Sequence, residues 1–308
     1  MLKNFEALKE EIIKNKTQEP KRVAVIKAAS LHALESIFEL AREGLVIPYL
    51  IDKKEELEQM LEEMTSTDVP YEIIPADTDQ EAAFKGIQMA KKGEVEFIMK
   101  GNLQTGTLLK EVVNRDTGIR NKKVLSHMAL VEVPAYSKLI GITDGGMVLT
   151  PSLEQKEAII ENAEEVMFAL GYEKPKFGLL SSAEVVQPKL PASADAAVLT
   201  EQYKENKRSV IEGPISLDIA LNPVAASEKG YKGQIQGDVD VLVVPEIVTG
   251  NALSKSMTLL AGGEMAGVIV GAKVPIILTS RSSTTAEKRN SLLLALKVST
   301  AKKKGGIS

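Results

Sequence analysis

The feature that most constrains this chain is a regular alternation. Short runs of β-branched and apolar residues take turns with stretches whose apolar positions recur every three or four residues. "RVAVIKAA" (22–29) reads as a buried strand, and "LVIPYLI" (45–51), "YEIIPA" (71–76) and "EVEFIMKG" (94–101) repeat it. Between the first two runs, Leu31, Leu34, Ile37, Phe38 and Ala41 mark one face of a helix that opens at Ser30, with Gly44 suited to its C-terminal end. An acidic helix around Leu57, Met60, Leu61 and Met64 follows the second strand. Thr78 and Glu81 have capping-box spacing for a helix ending near Gly93. Strand–helix alternation over such a length requires an α/β protein with mostly parallel sheet.

The second half keeps the theme. "VLSHMALVEV" (124–133) and "KLIGITD" (138–144) predict a strand pair, and Thr150-Pro151 predicts the N-cap and first residue of a helix running to about Gly171. Strands at "KFGLLS" (176–181), "VDVLVVPEI" (239–247) and "VPIILTS" (274–280) are each followed by a helix, from Ala192, Asn251 and about Thr285. At 308 residues, two α/β domains fit.

Composition removes several classes of function. There is no cysteine, so disulfides, thiolate metal sites and a cysteine nucleophile are excluded. Two histidines, His32 and His127, are too few for a His-rich metal site. The first is read as a capping or packing residue, the second as a core or interface residue. Aromatic residues make up 4% and net charge is −4, which argues against nucleic acid as a partner. No apolar run reaches the ~18–20 residues that span a bilayer, so no membrane partner and a cytoplasmic location are expected.

In parallel α/β sheets, ligands bind beyond the carboxyl ends of strands, where helices begin. Four such junctions stand out. At "MKGNLQTGTLLKEV" (99–112), Lys100 ends a strand, and Gly101, Thr105 and Gly106 let backbone approach a ligand; a plain glycine turn would read the same way. At "IEGPISLDIALNP" (211–223), Asp218 sits among apolar neighbours, as a functional carboxylate or a structural partner. At "VVPEIVTGNALSKSM" (243–257), Gly250 and the N-cap candidate Asn251 precede Lys255 on one helix face. At "TSRSSTTAE" (279–287), Ser282 to Thr285 can cap the last helix, but Arg281 beside a helix N-terminus opposes the helix dipole, which favours a bound anion.

"KGNLQT", "GPISLDIA", "PEIVTGNALSK" and "PIILTSRSSTTAE", in this order and spacing, resemble the phosphate acetyl/butyryl transferase family, and the compact length resembles its butyryl branch. The resemblance implies acyl transfer between coenzyme A and inorganic phosphate, with acyl-CoA as substrate and no bound cofactor or metal. It implies an isocitrate/isopropylmalate dehydrogenase-like fold of two α/β domains, 1–142 plus 275–308 and 143–274, flanking a cleft that holds the active site, and a homodimer or higher homo-oligomer. By position, Ser280 matches the family's donor to the reacting centre, Arg281 its phosphate ligand, and Glu287 an aspartate that acts as base toward the CoA thiol. Lys100, Gly101, Thr105, Gly250, Asn251, Lys255 and Ser282 are the expected phosphate and CoA contacts. Ser282 departs from the family's usual glycine, and Glu246 and Glu287 stand where aspartate is usual. Two competing functions are a metal- and NAD(P)-dependent decarboxylating dehydrogenase of the same fold, and a non-catalytic CoA-binding protein.

Overall fold

The computed structural model describes residues 2–16, 19–64, 67–279 and 283–303. The chain forms two compact units. The first comprises Glu6–Lys122 and Ala266–Ser308, the second Met1–Phe5 and Lys123–Met265.

In chain order, the first unit begins with α1 (Phe5–Lys14), β1 (Lys21–Ile26), α2 (Leu31–Arg42), β2 (Val46–Asp52), α3 (Lys54–Glu63), β3 (Glu72–Pro75), α4 (Asp79–Lys92), β4 (Phe97–Lys100) and α5 (Thr105–Val112). β1 pairs in parallel with both β2 and β4, and β2 with β3. Val23 to Ile26 are fully buried, as a strand covered on both faces requires. The α2 stripe faces this sheet through Leu34, Ile37, Phe38 and Ala41, whereas Leu31, in the first turn, is half exposed. Gly44, at φ +64°, ends that helix: the Leu45 N–H returns to the Leu40 carbonyl, the Schellman arrangement that a left-handed residue permits.

The chain then builds the second unit from β5 (Ser126–Glu132), β6 (Ile140–Thr143), α6 (Leu153–Ala169), β7 (Lys176–Leu180), α7 (Pro191–Gln202), β8 (Val210–Ile215), α8 (Leu217–Leu221), α9 (Pro223–Glu228), β9 (Val241–Val243) and α10 (Ile247–Leu259). β5 and β6 form the expected antiparallel pair, and the order continues β6-β9-β7-β8 with parallel pairing. β10 (Glu264–Val270) and β11 (Ile276–Ile277) then bring the chain back to the first unit, β11 lying antiparallel to β10 and parallel to β4. The last helix, α11 (Thr285–Lys303), packs on α2. The fold is therefore mixed α/β with mostly parallel pairing.

The units divide after Lys122 and after Met265, whereas the sequence placed the boundaries after 142 and 274. The difference has a structural reason: the β5–β6 hairpin is joined to β9 through β6, and β10 pairs with β11. Two helix starts also differ. α6 is capped by Ser152, not Thr150: its hydroxyl accepts the Gln155 N–H and the Gln155 side chain accepts the Ser152 N–H. α10 begins at Ile247, four residues before Asn251, because the Glu246 carboxylate accepts the N–H groups of Val248 and Thr249 at 2.7 and 2.8 Å.

The start of β7 and the β6–β9 edge in the second unit are held by a buried ion pair. Lys138 Nζ bonds the Asp240 carboxylate and the Asp238 carbonyl, and Asp240 also accepts the Lys176 N–H at 2.8 Å. Both side chains are about 5% exposed, so removing one partner leaves a buried charge uncompensated. Lys138→Met is expected to cost about 3 kcal/mol in urea unfolding, whereas Lys204→Met, which breaks an exposed pair with Glu201, leaves the midpoint unchanged.

Candidate functional site

In the first unit, Ile26 of β1 pairs with Lys100 of β4, and Ile277 of β11 with Met99, so three strands end at one edge. The chain leaving them forms a pocket of about 230 Å³. Ser30 and His32 come from the start of α2, Lys100 and Gly101 from the end of β4, Thr279 from beyond β11, and Lys288 from α11.

The frame of this pocket is backbone. Asp52, fully buried at the end of β2, accepts the Ala29 N–H at 2.9 Å and bonds Lys27 Nζ. That fixes the loop after β1, where Lys27 adopts a left-handed φ of +57°. The loop after β4 is then zipped onto it: the Gly101 N–H donates to the Ile26 carbonyl at 2.8 Å and the Asn102 N–H to the Lys27 carbonyl at 2.7 Å. A Cβ on Gly101 would lie 2.0 Å from the Lys27 oxygen. Glycine at 101 therefore serves backbone-to-backbone packing at the pocket wall. Gly101→Ala is expected to lower the melting temperature and weaken phosphate binding together, since the two loops must separate.

The pocket carries buried positive charge. Lys100 is 4% exposed and Lys288 5%. Lys100 Nζ donates to the Leu103 carbonyl at 2.9 Å, and Lys288 Nζ to the Ser283 carbonyl. Burial pushes the Lys288 ammonium below the usual lysine range, against the pull of neighbouring Glu287. Ser30, the N-cap of α2, makes no side-chain capping bond, so its hydroxyl does not occupy the helix's first N–H groups. His32 places Nδ1 3.5 Å from the Glu35 carboxylate and 3.4 Å from the Thr285 hydroxyl. Donors and cations thus converge on one space, which is large enough to admit a phosphate.

Lys100 and Gly101 line this pocket. Thr105 does not line this pocket; it is the exposed first residue of α5. Glu287 is absent from the lining as well, with its N–H donated to Thr284 Oγ1 at 3.1 Å, so the capping half of the "TSRSSTTAE" reading holds at Thr284. Ser280, Arg281 and Ser282 lie outside the described residues. Sequence reasoning missed His32 and Lys288 as pocket residues. Lys288 had a usable signal, a cation in the opening turns of a helix, the mismatch that singled out Arg281.

Gly250, Asn251 and Lys255 belong to the second unit, on α10. Gly250 is buried against Gly145, whose Cα a Cβ on Gly250 would meet at 2.7 Å, while Asn251 and Lys255 are exposed. Beside them, the Asp144 carboxylate accepts the N–H groups of Gly146, Met147 and Val148 at 2.8, 2.9 and 3.1 Å. Burial raises the Asp144 pKa, and those three N–H groups and His127 oppose it. His127 packs on Gly146 with Nδ1 buried and without a hydrogen-bond partner among the described residues, and burial lowers its pKa. Asp218 is exposed and paired with Lys229 at 2.9 Å, which, with its bond to Ser216, takes its pKa to about 2. It is a surface ion-pair member. Among the described residues, no three His, Asp or Glu side chains gather as a metal-ligand set.

The His127 environment sets a pH dependence. Its folded pKa lies below 6.5, so on acidification the unfolded chain takes up the proton first. Stability is lost as pH falls below about 6.5, and His127→Gln is expected to flatten that part of the melting-temperature profile. The raised pKa of Asp144 acts in the opposite sense, and His127 and Asp144 act on each other, so the difference between the profiles reports the pair.

Comparison with known proteins places this arrangement. The "Phosphate acetyl/butaryl transferase" family model matches residues 75–296. The chain is 37% identical over 295 residues to a probable phosphate butyryltransferase of Bacillus subtilis, covering 94% of this chain and 97% of that one. It is 33% identical over 297 residues to phosphate butyryltransferase of Clostridium acetobutylicum, covering 96% and 98%. Among solved structures, a branched-chain phosphotransacylase of Enterococcus faecalis superposes with a TM-score of 0.81 at 33% identity, over 91% of this chain and 99% of that one. A 4-hydroxythreonine-4-phosphate dehydrogenase of Burkholderia phymatum, 13% identical with a TM-score of 0.53 over 91% and 97% of the two chains, shares the fold alone. With a family model matching well over half of its length and relatives above 30% identity along nearly all of it, the chain belongs to the phosphate acetyl/butyryl transferase family and is a transferase enzyme.

Proposed function

We propose that the enzyme moves a short-chain acyl group between coenzyme A and inorganic phosphate, butyryl-CoA + phosphate ⇌ butyryl phosphate + CoA, by direct transfer in a ternary complex. The observation that carries this reading is the donor-rich pocket with two buried lysine ammonium groups, whose wall residue Thr279 immediately precedes Ser280 and Arg281. A phosphate dianion is the simplest partner for such a site. The relatives named as phosphate butyryltransferases support the same chemistry.

In the direction of acyl phosphate formation, a phosphate oxygen attacks the thioester carbonyl. A C–O bond forms, the C–S bond breaks, and the leaving thiolate takes a proton. Ser280 donates to the oxyanion that builds on the carbonyl. Arg281 holds phosphate, helped by Lys100. In reverse, a CoA thiol ionises well above neutral pH, so a base raises its thiolate fraction, a role assigned to Glu287. Gly250, Asn251 and Lys255 are assigned to CoA. The working enzyme is a cytoplasmic homodimer or higher homo-oligomer. A phosphate acetyltransferase of Thermotoga maritima is also 33% identical, over 277 residues, so acetyl transfer is the second reading; it uses the same residues.

The test follows free thiol released from butyryl-CoA and from acetyl-CoA, with and without phosphate. Phosphate-dependent release that needs neither NAD⁺ nor a divalent metal is expected, faster with butyryl-CoA. Formation of NAD(P)H from a hydroxyacid, or no release at all, overturns the reading. Arg281→Ala should raise KM for phosphate about tenfold or more, the scale of one lost charge-assisted hydrogen bond of about 1.5–3 kcal/mol. An unchanged phosphate dependence in that variant removes Arg281 from the phosphate site.

A further inference from the structure

Lys288 has no role in the reaction as written above. It is the fourth residue of α11, where a cation opposes the helix dipole. It is 5% exposed, yet among the described residues no carboxylate lies within ion-pair distance of its ammonium. Its hydrogen-bond partner is the Ser283 carbonyl, a neutral acceptor that offsets only part of the cost of burying a charge. No packing requirement accounts for a lysine here, since an apolar side chain of similar length would fill the space without that cost.

The pocket accounts for it. Lys288 reaches the same 230 Å³ space as Lys100, from a different element. Thr279 adds a hydroxyl, and the first turn of α2 reaches the pocket at His32 and Ala33 without a cap from the Ser30 side chain. The other charged groups nearby are already engaged: Lys27 bonds Asp52 and lies 3.7 Å from Asp79, and Glu35 faces His32 and Thr285 from the exposed side. Two buried ammonium groups that reach one pocket from different elements suit the oxygens of a phosphoryl group.

We propose that Lys288 is a phosphate-binding residue of this enzyme, gripping the phosphoryl group opposite Lys100. Through its bond to the Ser283 carbonyl it also ties the start of α11 to the same pocket. The proposal rests on the pocket being the phosphate side of the transfer, and it is tested without turnover.

The probe is inorganic phosphate, titrated against the full-length protein by calorimetry and by the phosphate-dependent rise in melting temperature. Lys288→Met should raise the phosphate Kd at least tenfold, and Lys288→Arg, which keeps the charge, should recover most of the affinity. Lys204→Met, at an exposed pair remote in sequence, should bind as the wild type does. In turnover, Lys288→Met should raise KM for phosphate about as much as Kd and leave KM for acyl-CoA within twofold. Phosphate binding within twofold of wild type in folded Lys288→Met overturns the proposal. Should Lys288→Met fail to fold, Lys288→Gln takes its place under the same criterion. A wild type that binds phosphate in a Lys288-dependent way but releases no thiol sinks the acyl-transfer reading and leaves this one standing. Turnover with an unaltered phosphate KM in the variant does the reverse.

Discussion

The pocket depends on one buried carboxylate. Asp52, at the end of β2, holds Lys27 Nζ and the Ala29 N–H, and so fixes the chain as it leaves β1. Among the described residues, Lys27 is the non-glycine with a positive φ, a conformation that costs an L-residue about 1–2 kcal/mol. The ion pair to Asp52 offsets that cost locally. The dividend is a Lys27 carbonyl turned to receive the Asn102 N–H, which docks the β4 loop and sets Lys100 at the pocket. Position 101 must then be glycine, because the two backbones meet where a side chain would stand. A chain of four contacts thus runs from Asp52 to the first cation of the site.

The two units handle buried charge in opposite ways. In the second unit, burial keeps His127 neutral and raises the Asp144 pKa, with three backbone N–H groups arranged around the carboxylate. In the first unit, the Lys288 ammonium is buried in a pocket with the Ser283 carbonyl as its hydrogen-bond partner. A neutral polar core is the cheaper arrangement, since desolvating an ion costs several kcal/mol. Keeping cations under those conditions is sensible only where an anion completes the charge balance. The same reasoning separates Lys288 from Lys138: both are about 5% exposed, but Lys138 meets Asp240 and is accounted for within the fold.

Much of this architecture was legible in the residue pattern. The strands at 22–29, 45–51 and 94–101 announce themselves by β-branched runs, and the helix between the first two by its apolar stripe. Lys100 followed from the rule that ligands gather at strand carboxyl ends. What escaped notice was determined by contacts distant in sequence. β8 carries Gly213 and Pro214, which read as a turn, yet as an edge strand it tolerates proline. β10 contains Gly267 and follows Gly262-Gly263, residues that interrupt a strand pattern. Glu246 is an uncommon N-cap residue, so the expected cap, Asn251, falls five residues beyond the observed one.

Glycines and lysines taught different lessons. The special positions of Gly101 and Gly250 were visible, and each sits where one backbone crosses another, at Lys27 and at Gly145. A glycine beside a candidate site is therefore evidence of close packing first, and it marks the site only because packed strand ends are where sites form. Lysines work the other way. On a helix they are by default solvent-facing, and nothing in the spacing of α11 distinguishes Lys288 from Lys297, which pairs with Glu11. Burial of Lys288 is decided by α11 lying on α2, a contact made across some 250 residues. The one local clue was polarity against the helix dipole, and it identified Arg281 and Lys288 by the same physics: a cation placed where the helix alone repels it implies an anion that holds it there.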